Sequence, residues 1–198
     1  MFIVFEGIDG AGLSTQAFLL QDSLEKLGFK VVLTKEPTDG LIGGLIKAAL
    51  RCEWKTDPWT LQILFAADRS HHVRHYILPA LKEGKIIICD RYLYSSLAYG
   101  SLECDYSWLK RINEGFPHAD ILIVLDLEPE IAIRRIGKSR LGLELFEEIE
   151  KLRRVRENFF RLAEEYGGIV IKTNKSIKDV QREIFRVVEE KLRESGLL

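Results

Sequence analysis

Five short apolar runs punctuate the chain: "FIVFE" at 2–6, "KVVLT" at 30–34, "KIIIC" at 85–89, "ILIVLDL" at 121–127 and "GIVIKT" at 168–173. Each is rich in β-branched residues, and the apolar positions are near-continuous instead of alternating. That is the pattern of strands covered on both faces, as in a parallel sheet. Stretches with helical spacing lie between them, at 14–27, 60–83 and 144–166. The first carries Phe18, Leu19, Leu20, Leu24 and Leu27 ahead of Gly28, a suitable C-cap. "WKTDPWT" at 54–60 breaks the pattern and offers Thr56 or Asp57 as an N-cap with Pro58 just inside the helix. The densely charged 144–166 reads as a long surface helix. Strand and helix in alternation, with no repeat or linker, predict one doubly wound α/β domain spanning 1–198.

Composition narrows the class. With 198 residues, 46% apolar and 30% charged, the chain can bury a sizeable core. A net charge of −1 argues against a dedicated nucleic-acid binder. The three cysteines, Cys52, Cys89 and Cys104, lie far apart without CxxC spacing, which fits a reducing, cytoplasmic setting better than a disulfide framework. "MFIVFEG" is too short for a signal-peptide core, and no run approaches the roughly 18 apolar residues of a membrane span. The expectation is a soluble cytoplasmic protein with neither nucleic acid nor membrane as partner.

The candidate chemistry begins at "EGIDGAGLSTQ", residues 6–16. Gly7 and Gly12 stand at the glycine positions of the phosphate-loop pattern G-x-x-x-x-G-K-[ST], and Ser14 fills the hydroxyl position. Leu13 stands where the pattern has lysine. A strand leads into Gly7 and a helix starts near Ser14, the context the motif requires. Residues Gly7, Ile8, Asp9, Gly10, Ala11, Gly12, Leu13, Ser14 and Thr15 are therefore read as a phosphate cradle. Its inward N–H groups and helix dipole act without the side chain at 13. What Leu13 removes is a cation that follows charge onto a transferring phosphoryl group, a loss of about 3–4 kcal/mol or roughly 10²–10³ in rate. Either another cation fills that place or the chain is a slow relative of an enzyme.

Asp90 follows "IIIC" at the carboxyl end of a buried strand, where open α/β sheets bind ligands, and can hold magnesium; Arg91 beside it suits phosphate oxygens. The bland reading of the two is an ion pair between neighbours. Phe65 and Arg69, four apart, share one helical face. Alone they read as a core Phe and a surface Arg. His71 and His75 also share a face, which reads as solvated, and Trp54, Trp59 and Trp108 read as packing or dimer contacts.

Five stretches together resemble the thymidylate kinase family: "FEGIDGAG", "TKEPTDGLIGGLIK", "LFAADR", "DRYLYSSLAY" and "VRENFF", in the family's order and spacing across most of the chain. The resemblance implies a P-loop nucleoside-monophosphate-kinase fold, a five-stranded parallel sheet flanked by helices, usually as a homodimer. It implies Mg²⁺-dependent phosphoryl transfer from ATP to dTMP. ATP would lie on the loop of residues 7–15, and Ser14 and Asp90 would hold the metal. Phe65 would stack on the pyrimidine, Arg69 would bond its carbonyl and Ser96 would face its edge. Tyr99 would occupy the place of a ribose 2′-hydroxyl, and Pro37 would line the nucleoside pocket. Lys47 and Lys35 stand where the family has arginines, Lys47's contacting the monophosphate, which Arg91 would also hold while Asp9 positions the acceptor. "RRIGKSRLG" at 134–142 lies where such kinases carry a lid, here a segment around 134–148. With Ala11 in the loop, its cations Arg134, Arg135, Lys138 and Arg140 are the expected substitutes for the lysine, Arg135 and Arg140 counted as catalytic. Gly100 replaces the glutamine that follows the family's tyrosine. A weakly active nucleotide-binding relative, or a kinase for another pyrimidine monophosphate such as dUMP, stays open beside the main reading.

Overall fold

In the computed structural model residues 1–137 and 143–198 are described, the side chains of 143–146 excepted. Strands β1 (Phe2–Gly7), β2 (Val31–Lys35), β3 (Ile86–Asp90), β4 (Ile121–Asp126) and β5 (Ile169–Lys172) form one sheet in the order β2-β3-β1-β4-β5. All four pairings are parallel, as the continuous apolar runs required. β1 and β4 are buried along their whole length, so neither could tolerate an alternating pattern. The register sets Phe5 beside Asp90 and Gly7 beside Leu125. The ends of β1, β3 and β4 thus open on one edge, and the chain leaves β1 at the centre of the sheet, where α/β folds form a ligand crevice.

Around the sheet lie α1 (Leu13–Lys26), α2 (Leu41–Leu50), α3 (Pro58–His72), α4 (Leu78–Lys82), α5 (Leu93–Gly100), α6 (Tyr106–Ile112), α7 (Pro129–Ile136), α8 (Leu143–Tyr166) and α9 (Ile177–Glu194). Asp57 caps α3 by accepting from the Thr60 amide at 3.0 Å, with Pro58 in the first turn. The single helix expected over 60–83 is instead interrupted. Residues Val73–Ile77 are π-helical, and the Leu78 N–H reaches five residues back to the Val73 carbonyl. Pro79 explains the break: it has no N–H for the turn before it, and the wider turn accommodates its ring. α2 is an element the apolar spacing does not mark out, because Gly43 and Gly44 dilute it. Gly43 is required there, since a Cβ would lie 2.1 Å from the Thr38 carbonyl oxygen. That contact holds α2 against the loop after β2, which forms one wall of the site.

Candidate active site

The loop between β1 and α1 is shaped by close approaches. A Cβ on Gly7 would lie 2.5 Å from the Leu125 oxygen, and one on Gly10 2.9 Å from the Ala132 oxygen. Both glycines also have positive φ, so the chain curls against β4 and α7 in a way only glycine allows. Gly12 is the N-cap of α1, and its carbonyl accepts from the Gln16 amide at 3.0 Å. Leu13 is 6% exposed and joins the apolar core. Its side chain therefore stabilises the start of α1 while the helix N-terminus stays open to an anion.

Asp90 and Arg91 do not pair with each other. Ser14 Oγ donates to Asp90 Oδ2 at 2.5 Å, which joins the start of α1 to the end of β3. Arg91, at φ 69°, turns the other way. Its guanidinium donates to the Gly7 carbonyl at 3.0 Å, to Ser95 Oγ at 3.1 Å and to Asp9 Oδ1 at 2.7 Å. It also lies 5.5 Å from the Tyr99 ring centre. Burial works against the Arg91 charge, but Tyr99, Asp9, Glu6 and Asp90 outweigh it and hold its pKa above the usual value. The Tyr99 hydroxyl accepts from the Asp9 amide at 3.3 Å, and burial pushes this phenol up to about 12.

Above the loop is a cleft of about 580 Å³, walled in part by Ser14, Lys35, Lys47, Asp90, Arg91 and Arg135. Both lysines converge on exposed Asp39: Lys35 Nζ at 3.4 Å and Lys47 by a direct hydrogen bond. Lys47 first, and Lys35 with it, hold the Asp39 carboxyl below the usual carboxylate range. Arg134 and Arg135 occupy the last turn of α7. Arg135 donates to the Gly10 carbonyl at 3.3 Å and to the Thr173 carbonyl at 2.8 Å, so it is fastened to the phosphate loop itself. Lys138 and Arg140 lie outside the described residues.

A second cavity, about 280 Å³, adjoins the first and is lined by Pro37, Phe65, Arg69, Ser96 and Tyr99 among others. Asp9, Glu36, Pro37, Leu50 and Arg91 line both. Arg69 is no surface residue: it is 1% exposed. Its Nε donates to Glu36 Oε2 at 2.8 Å, one terminal nitrogen to Ser96 Oγ at 3.2 Å and the other to Asn113 Oδ1. The guanidinium has five N–H groups, so two hydrogens remain after these contacts. Glu36 Oε1 meets His72 Nδ1 at 3.0 Å, and His72 Nε2 meets Thr34 Oγ1 at 2.7 Å. A chain of buried partners thus fixes Arg69 in one orientation. His71 and His75 are exposed, with ring centres 4.5 Å apart, and Trp59 packs on Trp108 at 4.4 Å.

Several residues here escape sequence reasoning. Glu36 and Asn113 come to Arg69 from 33 and 44 positions away, Asn113 without any local motif. Arg156, inside "VRENFF", grips both oxygens of Asp126, at 2.6 and 3.1 Å, and ties α8 to the end of β4. Glu6 could have been found as a carboxylate inside an otherwise apolar strand. It is fully buried, accepts from the amides of Tyr92 and Ser95 at 2.8 and 2.9 Å and from Ser95 Oγ at 2.5 Å, and so caps α5 from β1. Burial pushes its carboxyl up to about 7, against the pull of Arg91 and of these hydrogen bonds.

A pH dependence follows with a definite sign. Because the folded pKa lies above the unfolded value near 4.5, this group favours the folded state below that value and loses the contribution as pH rises through about 7. The loss is about 3 kcal/mol. Urea unfolding of the wild type should show this decline between pH 4.5 and 7.5, and Glu6→Gln, which keeps the shape, should lack it. Parallel profiles for the two proteins would contradict the assignment.

A phosphate loop at the carboxyl edge of a β2-β3-β1-β4-β5 sheet, beside a cavity with an aromatic plate and a fixed arginine, defines a nucleoside-monophosphate kinase. The family model described as thymidylate kinase matches residues 5–184. A probable thymidylate kinase of Pyrococcus horikoshii is 44% identical over 96% of this chain and 97% of its own length. Those of Thermococcus gammatolerans and Methanocaldococcus jannaschii are 42% and 40% identical, over 97% and 93% of this chain and equal shares of their own. The chain belongs to the thymidylate kinase family. Among the described residues no helix is long and apolar enough to cross a membrane.

Proposed function

We propose that the protein transfers the γ-phosphoryl group of ATP to dTMP, with Mg²⁺, giving ADP and dTDP for dTTP synthesis. The observation that carries this reading is the shared wall: Asp9 and Arg91 border both cavities, where a donor phosphate and an acceptor phosphate would meet. Phosphoryl transfer needs little covalent chemistry from the protein, so positioning and charge are its tasks. Residues 7–15 cradle the ATP phosphates. Arg91 holds the dTMP phosphate, oriented by Asp9, while Lys47 and Lys35 exchange Asp39 for phosphate oxygens. Phe65 stacks on thymine, Arg69 uses a spare N–H on its carbonyl, Ser96 faces its edge, Pro37 closes the pocket and Tyr99 leaves no room for a 2′-hydroxyl.

Ser14 and Asp90 fit a magnesium ion, since both offer hard oxygens side by side at the loop. The ion would neutralise charge on the ATP phosphates. Arg135 supplies the cation that Leu13 cannot, together with Arg140 from the segment around 134–148. The protein works in the cytoplasm, consistent with three free cysteines, and as a homodimer. Support for the dimer is the exposed apolar face of α2 and α3, where Leu41 is 93% exposed and Leu45 and Ile63 are half exposed. Leu13 itself favours a second reading, a nucleotide-binding relative with little turnover.

Titration calorimetry with a panel of nucleotides tests the main reading. dTMP should bind more tightly than its ribose counterpart, and more tightly than AMP or GMP. Equal affinity for a purine monophosphate would contradict the single-ring pocket.

A further inference from the structure

Gln62 neither holds Arg69 nor borders the phosphate cleft, yet it lines the nucleoside cavity. It lies three residues before Phe65 and seven before Arg69, on the same face of α3, and lines the cavity with both. The side chain is 7% exposed, and its Oε1 is enclosed without a hydrogen-bond partner among the described residues. A buried amide oxygen without a partner is costly and calls for an explanation. Position 100 supports one. A Cβ on Gly100 would lie 2.9 Å from Gln62 Cδ and 3.1 Å from both Leu109 methyl groups. Glycine at 100 therefore keeps open the space that the Gln62 amide fills.

The geometry points to Gln62 as a specificity-determining residue that reads the N3–H edge of a pyrimidine through its side-chain amide. This rests on the cavity being the acceptor-nucleotide site. An amide offers one acceptor and one donor side by side, and the imide edge of thymine or uracil, an N–H next to a carbonyl, is its complement. Arg69 offers donors only and is locked by Glu36, Ser96 and Asn113, so it requires a ring carbonyl where cytosine carries an amino group. With Arg69 bonding that carbonyl, a turn of the Gln62 amide about its last side-chain bond brings the enclosed oxygen to the N–H beside it, and the unpaired oxygen gains a donor. Ser96 Oγ already accepts from Arg69. The pair then selects 4-oxo pyrimidine nucleotides over cytosine nucleotides.

The test is calorimetric binding of dTMP and of its N3-methyl analogue, in which a methyl group replaces the ring N3–H and both ring carbonyls remain. Wild type should bind dTMP about tenfold more tightly than the analogue, the size of one net hydrogen bond. Gln62→Leu should bind dTMP about tenfold more weakly than wild type and no longer distinguish the two ligands. Gly100→Ala, whose new Cβ displaces the amide, should lose the discrimination as well. Affinity for a non-hydrolysable ATP analogue should be unchanged in both, which reports intact folding; if Gln62→Leu fails that check, Gly100→Ala decides. A variant that still binds the analogue ATP and keeps the full wild-type discrimination overturns the assignment. So does a wild type that binds both ligands equally. A wild type that binds neither overturns the acceptor-site reading, and the inference with it.

Discussion

Arg69→Met should lower the stability of the protein by about 3–5 kcal/mol, because it leaves the Glu36 carboxylate buried without its cation. Glu36 is 5% exposed, and Arg69 is the partner of one of its two oxygens at 2.8 Å. The substitution also strands Asn113 Oδ1 and Ser96 Oγ, and removes the guanidinium from the faces of Tyr92 and Phe116, 5.3 and 5.9 Å away. For a chain of this length that is a fall in Tm of roughly 6–20 °C. Replacing Glu36 by leucine in the same molecule should recover part of the loss, since the penalty belongs to the unpaired charge and not to the missing pair. Chemical unfolding of the wild type, the single variant and the double variant measures this. A loss below about 1 kcal/mol for Arg69→Met would mean that the buried Arg69–Glu36 pair does not hold this part of the fold.

The second large effect concerns rate. Arg135→Ala should reduce kcat by about 10²–10³, the usual consequence of removing one donor to a transferring phosphoryl group. The reason is its attachment: bonds to the Gly10 and Thr173 carbonyls hold the guanidinium in the wall of the cleft that Leu13 also lines. Arg135→Lys keeps the charge but cannot span both carbonyls, so it should recover only part of the rate. Stability should change little, because Arg135 sits at an exposed helix end. Steady-state ADP formation at saturating ATP and dTMP reads the effect. A kcat within threefold of wild type would remove Arg135 from the reaction.

Much of the fold is legible in the chain, because strands buried on both faces leave a signal that needs no partner information. All five apolar runs become strands, each displaced by at most one or two residues. α1 and α8 follow their spacing too. α3 and α4 do not form the single helix expected, because a lone Pro79 decides the local geometry against a favourable pattern. α2 is hidden since its glycines answer to Thr38, a contact in space. α9 carries Val180, Ile184, Val188 and Leu192 four apart and buried, a helical spacing that the chain itself displays.

The site divides in the same way. The phosphate loop and the residues at the end of β3 announce themselves through motifs. The partners that hold them do not, because Glu6 to Ser95 and Arg69 to Asn113 are joined only by the fold. Sequence spacing also misses direction: Asp90 and Arg91 are neighbours, yet a positive φ at Arg91 sends one to Ser14 and the other to Asp9. The lysines at 35 and 47 meet at Asp39 and add charge to the cleft that no motif at residue 13 reveals.

The most direct measurement is ADP formation with ATP, Mg²⁺ and dTMP, against a control without dTMP, for wild type and Leu13→Lys side by side. If the cations of the cleft do the work of the missing lysine, wild type turns over only when dTMP is present. Leu13→Lys then changes kcat by less than about tenfold, or roughly 1.4 kcal/mol. It can also slow the reaction, since a lysine there must enter a buried position beside cations already in place. A wild type that is nearly silent, brought to life by a hundredfold or more in Leu13→Lys, would contradict the compensation and identify a nucleotide-binding relative that has lost its chemistry.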